Sequence, residues 1–346
     1  MPKRPTDFYD ECENAPRLNE MFEFFSATAG GKSGVPQRFP RLDLRLLEHD
    51  PRLIRFAETQ RALWGQFDLH YFSSIPYRLE EEIRLGDALL EYARCNRGTG
   101  SPVGYYILGA AEGTFARTLA ELGEGKILTL SCSPNKENEE NFLRYGSPRF
   151  ASFFHGPFHR LSSSFLKTDP VLGQLGGEFD VIVEDTTFQM YSPNRSAQIG
   201  FVKQYLKKDG IFLFVEKFRQ SSPAEYVRRE LQKDYGYKVR YFSGEQIEQK
   251  NKQILAGMNL NEVTVDTMAA VLREHFNYAC MTWNSGNFYT LAASDHAENL
   301  GQLVERMCEP CIPHEYMYES LPECLPGFSI KLPGFRNFAT NSDGNV

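Results

Sequence analysis

Long apolar runs and an excess of basic residues are both missing from this chain of 346 residues. No apolar run approaches the roughly 18 residues that a membrane span needs, so we expect no membrane segment. The first residues, MPKRPTDFYDECEN, carry basic side chains with no apolar stretch behind them, which predicts no secretory signal. The formal net charge is −7, which argues against broad, sequence-independent binding of nucleic acid.

Cysteine is also sparse, with seven residues spread along the chain. An odd number without regular spacing favours reduced thiols and predicts a cytoplasmic protein. One group of residues could bind zinc. Cys308 and Cys311 form a C-x2-C pair, and two more potential zinc ligands, His314 and Cys324, follow it. The spacing of the last two fits no common zinc finger, so scattered thiols are the preferred interpretation and no metal is predicted.

What the chain does contain is an alternation of strand and helix patterns from residue 103 onward. Strands are predicted at Tyr105–Leu108, Lys126–Leu130, Phe150–Phe154, Phe179–Val183 and Ile211–Val215. Helices are predicted between them at Phe115–Leu122, Lys136–Tyr145 and Ser196–Leu206. This alternation is typical of a parallel sheet covered by helices. Two apolar runs around a short turn, Tyr278–Trp283 and Phe288–Ala293, predict a terminal antiparallel hairpin.

Three regions follow from these patterns. Residues 1–100 are predicted to form a helical N-terminal cap or lid, which includes a helix at Leu18–Phe25 and a lid segment at Tyr71–Leu90. Residues 101–296 are predicted to form the ligand-binding domain. Residues 297–346 are rich in proline and end in polar residues, which predicts a packed extension followed by a frayed tail.

The stretch Gly104–Ala120 reads as a strand, a tight turn of small residues and the start of a helix. Such a turn lets a polar ligand approach main-chain N–H groups at a helix N-terminus, which predicts a nucleotide-like ligand. A dinucleotide fold requires the spacing G-x-G-x-x-G and an acidic residue about 20 positions later. The spacing here is Gly109-x-Ala111-x-Gly113, which is different.

This alternate-residue spacing and the terminal hairpin resemble the class I S-adenosylmethionine (AdoMet) methyltransferases. The resemblance implies a three-layer α/β, Rossmann-like sheet, with AdoMet as the cofactor. Within it, the chain is most similar to the carboxy-AdoMet synthases that serve tRNA wobble-uridine modification. That similarity lies in Asp185–Met190, Leu213–Phe218, Phe242–Lys250 and Trp283–Phe288.

The resemblance also implies a cofactor pocket, residue by residue. Tyr77 would touch the amino-acid end of the cofactor, and Asp185 would lie close to the sulfonium. The glycine turn would follow the methionine moiety, the end of the second strand would face the ribose, and the loop after the third strand would face adenine. The residues implied for these parts are Gly109, Ala110, Ala111 and Gly113, then Ser131 and Cys132, then Pro157 and Phe158.

The chain departs from the methyltransferase pattern at two acidic positions. Ile107 stands two residues before the first glycine, and Ser131 stands at the end of the second strand, where acids are usual. The loss of one charge-assisted hydrogen bond would weaken the free energy of cofactor binding by about 1–2 kcal/mol. Either another acid, with Glu112 the nearest, takes over, or the affinity for AdoMet is modest. The arginine that binds the extra carboxylate in the synthase family has no clear match, and Lys238 and Arg240 are the nearest cations.

Methyl transfer needs proximity and often a base for the proton of the acceptor. Asp185 and Glu216 are predicted at the ends of adjacent strands, where ligands bind in such sheets, and are the candidate catalytic residues. Gln189, Tyr191 and Arg195 are candidates for the acceptor side. Each of these charged residues also has a purely structural interpretation. Asp185 could be a turn residue, Glu216 could belong to a polar strand end, and Arg195 could be a surface cation.

Three functions remain open from the sequence. The preferred hypothesis is an AdoMet-dependent methyltransferase that acts on a small molecule, favoured by the acidic charge and the cap. The second is carboxy-AdoMet chemistry linked to tRNA, and the third is a catalytically silent AdoMet-fold binding protein, suggested by Ile107 and Ser131. The sequence does not identify the acceptor or the oligomeric state, and a homodimer is left open.

Overall fold

An eight-stranded sheet forms the centre of the protein. The computed structural model describes residues 7–95, 101–109, 111–144 and 149–330. The strand order is β3-β2-β1-β4-β5-β7-β6-β8, in which β1 to β5 pair in parallel and β5, β7, β6 and β8 pair antiparallel. The strands are β1 (Val103–Leu108), β2 (Ile127–Ser133), β3 (Ala151–His155), β4 (Phe179–Asp185), β5 (Leu206–Lys217), β6 (Tyr278–Ser285), β7 (Phe288–Ser294) and β8 (Glu323–Cys324). The predicted α/β fold, with a mostly parallel sheet and a terminal hairpin, is confirmed.

Fourteen α-helices surround the sheet within the described ranges. They are α1 (Phe8–Glu13), α2 (Phe22–Ala29), α3 (Pro51–Ala62), α4 (Gln66–Phe72), α5 (Arg78–Cys95), α6 (Thr114–Leu122), α7 (Lys136–Arg144), α8 (Ser163–Thr168), α9 (Arg195–Lys203), α10 (Pro223–Leu231), α11 (Gly244–Lys250), α12 (Ala256–Leu260), α13 (Val265–His275) and α14 (Ala297–Val304). Short π-helical segments, Gln232–Tyr237 and Asn251–Leu255, follow α10 and α11. No helix in the described ranges is long and apolar enough to cross a membrane.

Two predicted boundaries are wrong, one because of a local turn and the other because of a contact between distant residues. The helix expected at Leu18–Phe25 begins only at Phe22, because Pro16–Leu18 forms a 3-10 turn that Asn19 closes by donating its side-chain amide to the Ala15 carbonyl at 2.8 Å. The helix expected to end at Leu206 ends at Lys203, and β5 begins at Leu206, three residues later. There Lys207 forms an ion pair with Asp180 of β4 at 2.8 Å, which extends the strand pairing.

The N-terminal helices pack directly on the sheet. Phe56 of α3 and Leu89 of α5 lie in one buried apolar cluster with Ile107 of β1 and Phe115 of α6. Gly86 allows this close packing, since a Cβ atom there would come within 2.1 Å of the Phe56 ring. The cap therefore shares a core with the sheet, and the proposed region limits at residues 100 and 296 stay predictions.

Helix α5 differs from the amphipathic surface helix that its acidic first turn suggests. Glu80, Glu81 and Glu82 are all buried. Arg84 is buried as well and donates to Glu81 at 2.6 Å, while Arg78 forms an ion pair with Glu82 at 3.2 Å. These pairs are needed because an unpaired charge is costly away from water. The C-terminal extension packs through α14 and β8, and its last residues, 331–346, lie outside the described ranges.

Candidate functional site

One cavity opens at the carboxyl edge of the parallel strands, where ligands bind in sheets of this kind. Eight of the predicted site residues line it: Gly109, Ala111, Cys132, Pro157, Phe158, Asp185, Gln189 and Tyr191. The turn after β1 and the end of β4 are in close contact, because a Cβ atom at Gly109 would lie 2.6 Å from the Asp185 carbonyl oxygen. Gly109 therefore has to be glycine, and its φ of 76° agrees with this.

Three members of the predicted cofactor pocket are placed elsewhere. Gly113 caps α6, and a Cβ atom on it would lie 2.8 Å from the Ser131 hydroxyl and 2.9 Å from the Phe142 ring, so it faces β2 and α7. Ser131 is fully buried beneath this turn. Tyr77 is buried against the rings of Tyr237 and Tyr316. These three do not line the cavity, and Ala110 lies outside the described residues.

The tyrosine that the N-terminal cap places at the cavity is Tyr71 of α4, not Tyr77. Its hydroxyl donates to Asp185, and burial raises the pKa of Tyr71 well above its usual value, so it stays a donor. The buried Arg78 guanidinium donates to the second oxygen of Asp185 at 3.1 Å and forms the ion pair with Glu82. Burial also raises the pKa of Glu82. Asp185 is thus held in one orientation by two donors from the cap.

Asp68, from the start of α4, places a carboxyl group at the cavity, whereas Glu112 of the glycine turn does not. Asp68 lines the cavity and accepts hydrogen bonds from the Thr114 hydroxyl at 2.6 Å and the Gly65 amide at 2.9 Å. Glu112, the acid expected to substitute for the missing ones, is fully buried and does not line the cavity. It accepts from the Asp68 amide and from Asn141 instead. Burial is the largest cause that raises the pKa of both carboxyls, and their proximity adds to the shift at Glu112.

Several buried polar atoms of the cavity wall have no hydrogen-bond partner within the described part of the chain. They are Nη1 of Arg17, Oδ1 of Asn138, and both Nε2 and Oε1 of Gln189. Gln189 is only 1% exposed, and an unpaired buried amide costs about 1–3 kcal/mol. These three lining residues therefore carry donors and acceptors that no described protein group uses.

Arg17 is a site residue that the sequence did not reveal. It belongs to the 3-10 turn before α2, and its guanidinium lies 4.5 Å from the centre of the Phe25 ring and donates to Asn135 at 2.5 Å. It enters the cavity near Cys132, at the end of β2. A lone arginine in an irregular segment carries no local pattern that marks it as a ligand residue.

Four lysines also line the cavity: Lys217, Lys233, Lys238 and Lys250, called the lysine wall below. Three of them pair with acids, since Lys217 and Lys233 contact Glu230 at 2.9 and 2.6 Å, and Lys238 contacts Asp234 at 2.9 Å. Lys250 has no carboxylate partner among the described residues.

Lys250 instead contacts two polar groups of the lid. Its ammonium lies 2.7 Å from Nε2 of His70 and 2.8 Å from the Ser74 hydroxyl. Nδ1 of His70 lies 2.5 Å from the Gly34 carbonyl oxygen, so the ring donates there and accepts from Lys250. Burial and the neighbouring lysines Lys238 and Lys233 lower the pKa of Lys250 well below its usual value. Burial lowers the pKa of Lys238 as well, to about 7.

Glu216 and Arg195 do not line the cavity. They form a fully buried ion pair with each other, in which Nε of Arg195 donates to Glu216 at 3.0 Å. Arg195 also donates to the Asn261 carbonyl at 3.2 Å and so ties α9 to the segment after α12. The geometry gives this pair a structural role and does not support a base at Glu216 or an anion site at Arg195.

The four candidate zinc ligands do not form a single group. Cys308 and Cys311 lie together, with their sulfur atoms 3.9 Å apart, and His49 joins them. His314 begins a separate 3-10 turn, and Cys324 lies in β8 opposite Cys280. Neither belongs to the group around Cys308.

Comparisons with known proteins give only distant similarities. No family model matches the sequence, and no curated protein matches it. Among solved structures, the plantazolicin methyltransferase BpumL in complex with SAH shares 10% identity over 73% of this chain and 100% of its own, with a TM-score of 0.44. The plantazolicin methyltransferase BamL, bound to a triazolic desmethylPZN analog and SAH, shares 11% over 74% and 100%, with a TM-score of 0.45. A SAM-dependent methyltransferase from Aquifex aeolicus shares 10% over 61% and 90%, with a TM-score of 0.36.

Proposed function

We propose that this protein is an AdoMet-dependent methyltransferase that acts on a small molecule with an anionic group. The observation that carries the proposal is that three residues lining the cavity, Arg17, Asn138 and Gln189, hold buried polar atoms without a partner among the described residues. They lie at the carboxyl edge of a parallel sheet, beside a tight turn of small residues, where a nucleoside fits.

The residues present suit the parts of AdoMet. Phe158 and Tyr191 pack edge to face, with ring centroids 5.0 Å apart, and line the cavity with an aromatic surface on which adenine could lie. The Gln189 amide could both donate to and accept from its edge. Asn138 and Arg17 offer an acceptor and a donor for the ribose. Asp68 and Asp185 suit the ammonium group of the amino-acid end, since both are acids on the cavity wall.

When bound, AdoMet would supply a methyl group for in-line attack by the acceptor nucleophile, with its demethylated thioether as the leaving group. The chain contributes mainly position, because Tyr71 and Arg78 fix Asp185 while the lid helices cover the cavity. The proposal assigns no base among the residues predicted from the sequence, since Glu216 is enclosed in its ion pair.

Gln189→Met tests the cofactor proposal. The replacement keeps the size of the side chain and removes two unpaired polar atoms, so we expect the free protein to unfold at the same or a higher temperature. AdoMet binding should weaken by about 5- to 150-fold, since one or two lost hydrogen bonds correspond to about 1–3 kcal/mol. Isothermal titration with AdoMet and with its demethylated product measures the affinities.

Gln198→Met is the matched control. Gln198 is equally buried but donates to the Phe188 carbonyl at 3.0 Å and does not line the cavity, so its replacement should lower stability and leave AdoMet affinity unchanged. If the wild-type protein binds neither ligand at high micromolar concentration, the enzyme proposal fails in favour of a silent scaffold. Equal affinities of the wild type and Gln189→Met would refute the placement of the cofactor.

The carboxy-AdoMet alternative makes a different prediction about the cofactor. Lys238 lines the cavity, whereas Arg240 does not and donates to the Gly236 carbonyl instead. A mass spectrum of ligand released from the purified protein distinguishes the two functions. AdoMet or its demethylated product supports the methyltransferase, and a carboxylated AdoMet would replace it by the tRNA-linked chemistry.

The lysine wall supports the anionic acceptor. Lys250 contacts His70 and Ser74, and in its ammonium form it would have one further N–H to donate to a ligand. The lysine wall has four lysines, and among the described residues only Glu230, Glu262 and Asp234 form ion pairs with them. A carboxylate or phosphate next to Lys250 would balance the charge and would restore its ammonium form.

Lys250→Gln tests the acceptor class. Matched pairs of aromatic carboxylic acids and their amides are added to the protein with the demethylated cofactor product, and the unfolding temperature is measured. Acids should raise it more than amides in the wild type, and this difference should vanish in Lys250→Gln. Lys252→Gln, on the exposed side of the same segment, is the control and should retain it. No difference between acids and amides in the wild type would refute the anionic acceptor while leaving the cofactor proposal intact.

A further inference from the structure

A second cluster of potential ligands lies away from the cavity. His49 directly precedes Asp50, which caps α3, while Cys308 and Cys311 belong to the segment after α14. One ligand atom from each of the three residues lies within 4.8 Å of the other two. The three residues come from chain segments more than 250 positions apart, so the fold brings them together.

The geometry of this cluster suits a metal ion better than a disulfide. The two sulfur atoms are 3.9 Å apart, whereas a disulfide bond is about 2.05 Å long. Two thiolates on a tetrahedral zinc ion, each at about 2.3 Å, are separated by about 3.8 Å. Two cysteines in a C-x2-C spacing with one histidine form a donor set that zinc prefers.

The surroundings hold the cysteine segment in place. The buried Arg84 of α5 donates to the Cys308 carbonyl at 2.9 Å, and Glu81 balances its charge at 2.6 Å. The thiolate is the form of cysteine that binds metal. Cys311 is buried and His49 is exposed, so the cluster extends from the interior to the protein surface, where water could supply a fourth ligand.

We propose that His49, Cys308 and Cys311 bind one zinc ion that fastens the C-terminal extension to the start of α3. Two thiolates neutralise the ion, and the neighbouring Arg84–Glu81 pair is itself neutral, so the site carries no unbalanced charge. The role is structural, because the cluster lies outside the cavity and none of its three residues lines it. This proposal is independent of the proposed methyl transfer.

The test measures zinc in the full chain by inductively coupled plasma mass spectrometry, after loading with Zn²⁺ and extensive dialysis. We expect one zinc per chain in the wild type and a loss of at least tenfold in His49→Ala and Cys308→Ser. Two controls should retain it: His314→Ala, which removes the ligand expected from sequence spacing, and Cys95→Ser, which removes an exposed thiol. Retention in Cys308→Ser would overturn the proposal.

A second measurement on the wild type avoids variants that fail to fold. Cobalt bound in place of zinc should show thiolate-to-metal charge-transfer absorption, and this absorption should be absent from Cys308→Ser. No zinc in the loaded wild type, no such band with cobalt, or a Cys308–Cys311 disulfide found by mass spectrometry under reducing purification would each overturn the proposal.

Discussion

Glu80→Gln is expected to make the protein more stable at alkaline pH and to leave its stability almost unchanged at acidic pH. Glu80 lies in the first turn of α5, is 3% exposed, and accepts a hydrogen bond from the Asp43 amide at 2.9 Å. Burial is the largest cause that raises its pKa from 4.5 to about 7. A glutamine keeps the acceptor for Asp43 and has no charge at any pH.

The direction of this pH effect follows from how many protons the folded and unfolded chains bind. Between pH 4.5 and 7 the folded chain keeps the Glu80 proton while the unfolded chain loses it, so stability is full below pH 4.5 and falls as the pH rises. Each pKa unit corresponds to about 1.4 kcal/mol, so the loss reaches about 3 kcal/mol above pH 7. With an unfolding entropy of about 2.1 cal/mol/K per residue, this loss of stability lowers the unfolding temperature by about 4 °C for a chain of this length.

The assay is thermal unfolding of the wild type and Glu80→Gln at pH 5 and pH 8. The variant should unfold about 4 °C higher at pH 8, and the difference should shrink to about 1 °C at pH 5. Glu58→Gln is the control, because it removes the same charge from an exposed position on α3 and should show no such pH dependence. A difference between wild type and Glu80→Gln that is the same at both pH values would refute the reasoning.

Two further predictions concern packing and the buried ion pair. Arg195→Met should destabilise the fold by about 3–5 kcal/mol, because it leaves the Glu216 charge buried, and adding Glu216→Leu should recover most of that loss. Denaturant unfolding measures both, and titration should show unchanged AdoMet affinity in the double variant; a loss of affinity there would restore a ligand role for the pair. Gly86→Ala should cost about 1–3 kcal/mol, since its Cβ atom would overlap the Phe56 ring, and unchanged stability would show that α3 and α5 can move apart.

The order of strands and helices could be predicted because each element is encoded locally. The strand–turn–helix around Gly109 depends on residues within a few positions of one another, and β1 and α6 form close to the limits expected from periodicity. The hairpin of β6 and β7 is equally local. Boundaries failed where a contact between distant residues decides them, as when the Lys207–Asp180 pair extends β5.

The site could be predicted only where it lies on strand ends. Cys132 is the next-to-last residue of β2 and Asp185 is the last residue of β4, so the topology places them at the cavity. Arg17, Asp68 and Lys250 come from the cap and from a distant helix, and their positions depend on how the lid packs, for which no local pattern exists. The tyrosine of the lid illustrates the limit, since Tyr71 and Tyr77 lie in one segment and only the fold shows that Tyr71 reaches Asp185.

The usual acid is missing from the end of β2, and Arg17 and Asn138 are polar residues that line the cavity in this region. An acid at that position can only accept hydrogen bonds from a ribose, whereas Arg17 can only donate. Asn138 supplies an unpaired acceptor oxygen nearby, so donor and acceptor are divided between two neutral or cationic groups. A ligand here must therefore offer lone pairs to Arg17 as well as a hydroxyl to Asn138, and a ribose does both. Ser131 then needs no part in binding, which agrees with its burial beneath Gly113.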